Sequence, residues 1–123
     1  MTPKYIDLCR KLALPRVLEM LDLIFFDGEV RPCPSRFIGY ELDSLFLKPI
    51  ECFWLPREGD WLDLLEAEGY NEVEISTRLG TYRATARWVD MDGVTHARYD
   101  SYNRPDRLLA LACVYRDVKG IKP

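Results

Sequence analysis

The sequence is poor in the side chains that most chemistry needs. It has one histidine, His96, and four cysteines, Cys9, Cys33, Cys52 and Cys113, none of them in a C-x-x-C pair. That spacing excludes the common zinc and dithiol motifs. There is no Gly-rich phosphate loop, no G-x-S-x-G elbow and no H-E-x-x-H pair, so the familiar signatures of nucleotide, acyl-transfer and metalloprotease sites are missing. His96 has no serine or cysteine placed beside it and is expected as a solvated strand residue. No catalytic residue, cofactor or metal site is assigned, and an enzyme is not expected. Asp60 with Asp63 and Asp90 with Asp92 fall at a helix start and a turn, where capping and turn roles account for them.

An excess of one charge is also lacking. Seventeen basic and twenty acidic residues give a net charge of −3, with a pI near 5.2. Such a balance offers no global attraction to nucleic acid or anionic lipid, so any anion binding must be local. Leu21 to Phe26 is far too short an apolar run to span a bilayer, and the amino terminus lacks the pattern of a signal peptide. A cytoplasmic protein is expected, with free thiols; a reducing compartment disfavours a Cys33–Cys52 bridge.

What the chain does contain is clearest from Asn71 to Ala112. Alternating runs Val73, Ile75, Thr77, Leu79 and Tyr82, Ala84, Ala86, Trp88 flank Gly80-Thr81, which suits a type II′ hairpin. Asp92-Gly93 suits a type I′ turn into a third strand. Two-residue loops would set Leu79 opposite Tyr82, Ile75 opposite Ala86, Val73 opposite Trp88, Trp88 opposite Ala97 and Ala86 opposite Tyr99. Trp88, Ala86 and Ala84 then share one face, expected to be core. The other face carries Glu74, Arg87 and Arg98 in one row, Ser76, Thr85 and Asp100 in another, and Arg78 beside Arg83. A solvated sheet face explains these residues, and Arg78, Arg83, Arg87 and Arg98 are also the anion or nucleic-acid candidates.

Helices are expected on either side of this meander. Pro56 can occupy a first turn, with Trp61, Leu62, Leu64 and Leu65 inward and Gly69 as the stop. The closing helix starts near Arg104-Pro105, and its stretch Leu108 to Tyr115 is apolar almost all round, which calls for cover on two sides. Thr2-Pro3 starts a first helix, Pro15 interrupts it, and a second helix is expected from Pro15 to about Phe25, ended by Asp27-Gly28. Between Glu29 and Pro56 no clean period appears, and an irregular connector packed by its own aromatics is expected.

Together these readings give an α+β protein: a single domain over residues 1–123, with a helical layer at 1–28, a connector at 29–56 and an α-β-β-β-α unit at 57–120. The element order is α-α-α-β-β-β-α around a three-stranded antiparallel meander with helices on one face.

Helix, three antiparallel strands and helix over residues 57–118 is an order that resembles the double-stranded RNA-binding domain. This chain opens its last helix with Arg104-Pro105-Asp106-Arg107, without that family's basic cluster. Trp54-Leu55-Pro56-Arg57, a short helix, Val73 to Arg83, Gly93 to Tyr99 and a closing Leu-Ala helix look like the small orphan proteins of phages and prophages. That resemblance implies a bacterial accessory protein that binds a macromolecule.

The function expected is therefore non-catalytic binding of a protein partner. Phe25, Phe26, Phe37, Tyr40 and Phe46 form the contact surface, because these apolar residues have no evident home. The alternative is a nucleic-acid-binding domain on the arginine face. Two arrangements would bury the surplus aromatics: a symmetric homodimer through the amino-terminal helices, or a connector folded back within one chain.

Overall fold

The computed structural model describes residues 1–45 and 49–121. The chain is α+β, but its strands are not confined to the meander. It runs α1 (Pro3–Leu12), β1 (Leu23–Phe26), β2 (Glu29–Pro32), β3 (Cys52–Leu55), α2 (Glu58–Ala67), β4 (Glu72–Arg78), β5 (Thr81–Val89), β6 (Thr95–Arg104) and α3 (Arg107–Val118). The order α-β-β-β-α-β-β-β-α replaces the expected run of three helices before any strand. The chain divides into two compact units, Ile6–Arg57 and Met1–Tyr5 with Glu58–Pro123.

In the unit Ile6–Arg57 the helix expected from Pro15 to Phe25 is absent. Leu23–Phe26 is instead the central strand of an antiparallel sheet in the order β2-β1-β3. Its apolar run buries Ile24 and Phe26 and leaves Leu23 and Phe25 half-buried, the alternation of a strand. Asp27 and Gly28 do not end a helix. Both have positive φ, 50° and 83°, and they form the two-residue loop between Phe26 and Glu29, the geometry of a type I′ hairpin.

The connector is likewise more regular than expected. It holds β2, β3 and two 3-10 turns at Ser35–Phe37 and Leu42–Ser44. Leu18, Ile24, Phe26, Cys33 and Phe37 make a buried cluster. Phe26 meets Phe37 edge-on at 5.6 Å between ring centres.

The segment before β1 is not helical because polar groups hold it in another path. Asp22, only 7% exposed, receives two hydrogen bonds of 2.9 Å from the Arg16 guanidinium and a third from the Glu19 backbone N–H. The guanidinium lies 4.4 Å from the centre of the Trp54 ring. The Leu18 N–H donates to the Tyr40 carbonyl, and Gly39 and Leu42 donate back to Leu18 and Arg16. A helix through Pro15 would forfeit this pairing.

The second unit carries the expected meander, β4-β5-β6, all antiparallel. Its second hairpin has the expected register, Trp88 opposite Ala97 and Ala86 opposite Tyr99. The first is displaced by two residues: Ile75 faces Ala84, Val73 faces Ala86 and Arg78 faces Thr81. The loop is Leu79-Gly80, not Gly80-Thr81, with φ of 51° and 77°. That is a type I′ turn with an exposed leucine at a position that disfavours it. A shift of two keeps every side chain on its expected face.

α3 lies on β5 and β6 and also meets α2. The buried stretch Leu109–Tyr115 faces Ala84, Ala86 and Ser101, themselves buried. On the far side Trp61 of α2 contacts Tyr115 at 5.6 Å and donates its indole N–H to the Tyr5 hydroxyl at 2.9 Å. The helix begins at Asp106, whose carboxylate accepts from Leu108 and Leu109 N–H and from the Thr2 hydroxyl.

Removing Asp22 takes both 2.9 Å hydrogen bonds from the Arg16 guanidinium and leaves it the longer, 3.4 Å contact with the exposed Glu19. Asp22→Ala is expected to cost about 3 kcal/mol, read as a lowered urea midpoint. An unchanged midpoint would mean that solvent already screens Arg16.

Candidate interaction surfaces

The two faces of β4-β5-β6 put different chemistry at opposite ends of the sheet. On the outer face Glu72 stands opposite Arg87, which stands opposite Arg98, while Glu74 is in line with Thr85 and Asp100. Arg87 bonds both Glu72 and Glu74, at 2.9 and 3.2 Å. Asp100 accepts from Arg98 at 3.0 Å, from the Thr85 hydroxyl at 2.7 Å and from Arg83 at 3.2 Å. The Arg98 hydrogen bond is the main reason that the Asp100 carboxyl titrates near 2, and Thr85 and Arg83 add to it against the cost of burial.

The four arginines singled out from the sequence therefore share the face but not the same state. Arg87 and Arg98 are spent on carboxylates. Arg83 is partly spent, and its guanidinium lies 4.7 Å from the centre of the Tyr102 ring. Arg78 has no ion pair among the described residues. A continuous basic stripe is not present.

At the turn between β4 and β5 this face opens into a cleft of about 270 Å³ lined by Ser76, Arg78, Thr81, Arg83, Tyr102 and Asn103. A bulge helps shape it. Tyr82 pairs with Arg104 and Ala84 with Ser101, so β6 carries one extra residue there, and Asn103 takes φ of 52°.

The expectation that Trp88 is core is corrected. Ala84 and Ala86 are buried, but Trp88 on the same face is 47% exposed. Lengths explain this: nine residues of β5 extend about 30 Å, whereas the twelve of α3 cover about 18 Å. The end of the strand projects past the helix. There the chain turns through Met91-Asp92-Gly93, a three-residue loop closed by Asp90 and Val94 and not the expected two-residue one. A second bulge between Trp88 and Val89 makes His96 the extra residue of β6. Its ring sits 4.5 Å from that of Trp88, and Nε2 is 2.6 Å from Asp90.

The other oxygen of Asp90 accepts from the Asp92 and Val94 N–H groups. The His96 contact, followed by the Val94 N–H, lowers the Asp90 pKa. This carboxylate is a turn anchor. Met91 is fully exposed and Val94 half-exposed, so Trp88, Met91 and Val94 make an uncovered apolar end rimmed by Asp90 and Asp92.

The aromatics expected to form a contact surface have mostly found partners within the chain. Phe26 and Phe37 are buried. Phe25, half-buried, stacks on Phe53 at 4.9 Å, with the Arg10 guanidinium over both rings. Tyr40 is 58% exposed, and Phe46 lies outside the described residues. No disulfide forms among the described residues, and burial pushes the Cys52 thiol up to about 11 and raises that of Cys33. Both thiols are poor nucleophiles. Among the described residues there is no metal-binding cluster and no helix long and apolar enough to cross a membrane.

Met91, Asp100 and Tyr102 were not among the expected functional residues, and Trp88, weighed with Tyr82 and Tyr99 as a stacking platform for single strands, was expected in the core. The signal for Tyr102 was its step along β6 from Asp100, which places it on the arginine face. Comparison of the chain with protein-family models, curated proteins and solved structures finds no match.

Because the folded pKa of Asp100 is about 2 and that of an unfolded aspartate about 3.9, its pairing contributes stability above pH 4 that is lost as pH falls towards 2. The stability gap between wild type and Asp100→Asn should stay constant from neutrality to about pH 5 and close below it. A gap that persists near pH 2 would assign the effect to hydrogen bonds that survive protonation.

Proposed function

We propose that the chain is a non-catalytic, cytoplasmic accessory protein that binds another protein through the exposed end of the β5–β6 hairpin. The observation that carries this reading is Trp88, a large aromatic left uncovered beside Met91 and Val94. Tryptophan contributes more to interface affinity than most residues, because its broad rigid surface is desolvated with few rotors to freeze. The rim of Asp90 and Asp92 favours a partner whose apolar pocket is edged by lysine or arginine. The contact surface thus moves from the Phe25 and Phe37 region, where each ring packs on another phenylalanine, to a hairpin whose apolar side chains face solvent.

A protein-binding role also accords with the outer sheet face. Pairing of Arg87 and Arg98 with carboxylates leaves too little free positive charge for a duplex, whose affinity rests on many phosphate contacts. The resemblance to phage and prophage orphan proteins fits an accessory role of this kind, with a host or phage protein as the partner. Self-association remains a separate proposal. The buried Phe26 and Phe37 are unavailable to a dimer, which would have to draw on Phe25 and Tyr40.

The test is a pull-down from bacterial lysate with wild type and Trp88→Ser, with and without nuclease. The proposal expects a band that survives nuclease and moderate salt and is lost with the variant. The variant should lower affinity about thirtyfold, the effect of about 2 kcal/mol at a hot spot. Identical bands from both proteins would reject the hairpin end as the contact. Because Trp88 is half-exposed, its loss should leave the melting temperature nearly unchanged.

A further inference from the structure

We propose that the cleft on the outer face of β4-β5-β6 binds a phosphate monoester attached to a planar ring, with a nucleoside monophosphate as the representative ligand. Arg78 supplies a guanidinium with no ion pair among the described residues. Arg83 adds a second, and only its Nη2 reaches Asp100. Its Nε is buried and has no hydrogen-bond partner. The two residues are diagonal neighbours on β4 and β5, since Arg78 pairs with Thr81 and Ser76 with Arg83. Diagonal positions lie about 7 Å apart, a separation that long side chains close around one group.

Two forked donors lining one cleft suit a tetrahedral dianion better than a carboxylate, which a single guanidinium already satisfies. The remaining lining is matched to such a group. The hydroxyl of Ser76 and the amide of Asn103 have no hydrogen-bond partner among the described residues, whereas the Thr81 hydroxyl donates to the Arg78 carbonyl and keeps its acceptor side. No acidic residue lines the cleft.

Tyr102 sets the second half of the specificity. Its ring is half-exposed and lies against the Arg83 guanidinium, so a planar base entering the cleft meets an aromatic surface already held in place. A volume of about 270 Å³ falls just below that of pockets that enclose drug-sized ligands. A phosphate with one ring fits, and a longer oligonucleotide would leave the cleft after its terminal nucleotide.

The site is separate from the hairpin end. Arg83 and Trp88 are five positions apart on β5, about 17 Å at strand rise, and on opposite faces.

The experiment is calorimetric titration of the full chain with adenosine monophosphate, adenosine, inorganic phosphate and a ten-nucleotide RNA with and without a 5′ phosphate. Saturable binding of adenosine monophosphate is expected, with adenosine weaker by at least about tenfold, the effect of one lost charged hydrogen bond. Arg78→Ala should weaken the monophosphate by a similar factor. Arg78→Lys should recover part of it, because charge returns without the fork. Tyr102→Ala should weaken the monophosphate and leave inorganic phosphate unaffected. Arg87→Ala, whose guanidinium is paired with two glutamates, should change nothing.

No saturation by about 5 mM, or an equal loss with Arg87→Ala, would overturn the local site. Equal affinity for RNA with and without its 5′ phosphate would overturn the monoester in favour of an internal phosphodiester. Arg78 and Tyr102 are exposed and Arg87 is partly so, and unchanged circular dichroism and melting curves would show that the variants remain folded.

Discussion

A helix whose residues Leu109 to Tyr115 are all buried cannot rest on one surface, and the unit around it is arranged to meet that demand. The sheet accepts it through the smallest side chains available, Ala84 and Ala86, which let the helix backbone come close. The opposite side is closed by Trp61 and Tyr5, joined by a hydrogen bond that satisfies the one polar hydrogen of the indole. Asp106 then does two things at once: its carboxylate caps the helix and also holds Thr2, fixing the start of α1 in the same unit. Burial of the helix, capping of its first turn and placement of the amino terminus are thus one problem with one solution.

The same helix explains what the sheet leaves uncovered. It is shorter than β5, so the strand must run past it at one end, and the residue exposed there is Trp88 rather than an alanine. Alternation in the sequence assigns a face but not a length of cover. That is why the inner face of Ala84 and Ala86 was legible and the exposure of Trp88 was not. On the outer face, the positions of the arginines followed from alternation as well. Their differing states did not, because a shift of two residues in the first hairpin brings Glu72 to Arg87 and Thr85 to Glu74 while leaving every face intact.

The largest departure, residues 15 to 55, has a local cause. Leu23 to Phe26 is equally apolar as a helix or a strand, and only the flanking turn distinguishes them. Asp27-Gly28 is a strong hairpin signal, yet it also matches a helix stop, and Pro15 had already suggested a helix start. The deciding interactions reach beyond the local pattern: the Arg16 to Asp22 pair against Trp54, and the backbone bonds that Leu18 donates to Tyr40 and accepts from Gly39. In the first hairpin, Leu79 at φ of 51° is a case where pairing of the whole strand outweighs a cost of about 1–2 kcal/mol at one residue. Propensity reasoning rightly avoided that choice, and the tertiary structure makes it anyway.

Placing an apolar end and a basic cleft on one meander has a physical consequence for how they act together. The two lie on opposite faces of a central strand that is hydrogen-bonded on both sides. Coupling between sites requires an element with two arrangements that both ligands bias. A central strand locked by neighbours on both edges, with Ala84 and Ala86 packed under α3, has little freedom to supply a second arrangement, since a one-residue register slip would turn its buried residues to solvent. Substitutions at Trp88 and at Arg78 should then behave as distant, independent changes. The sheet serves as a rigid spacer that presents two surfaces, and each can be altered without rebuilding the other.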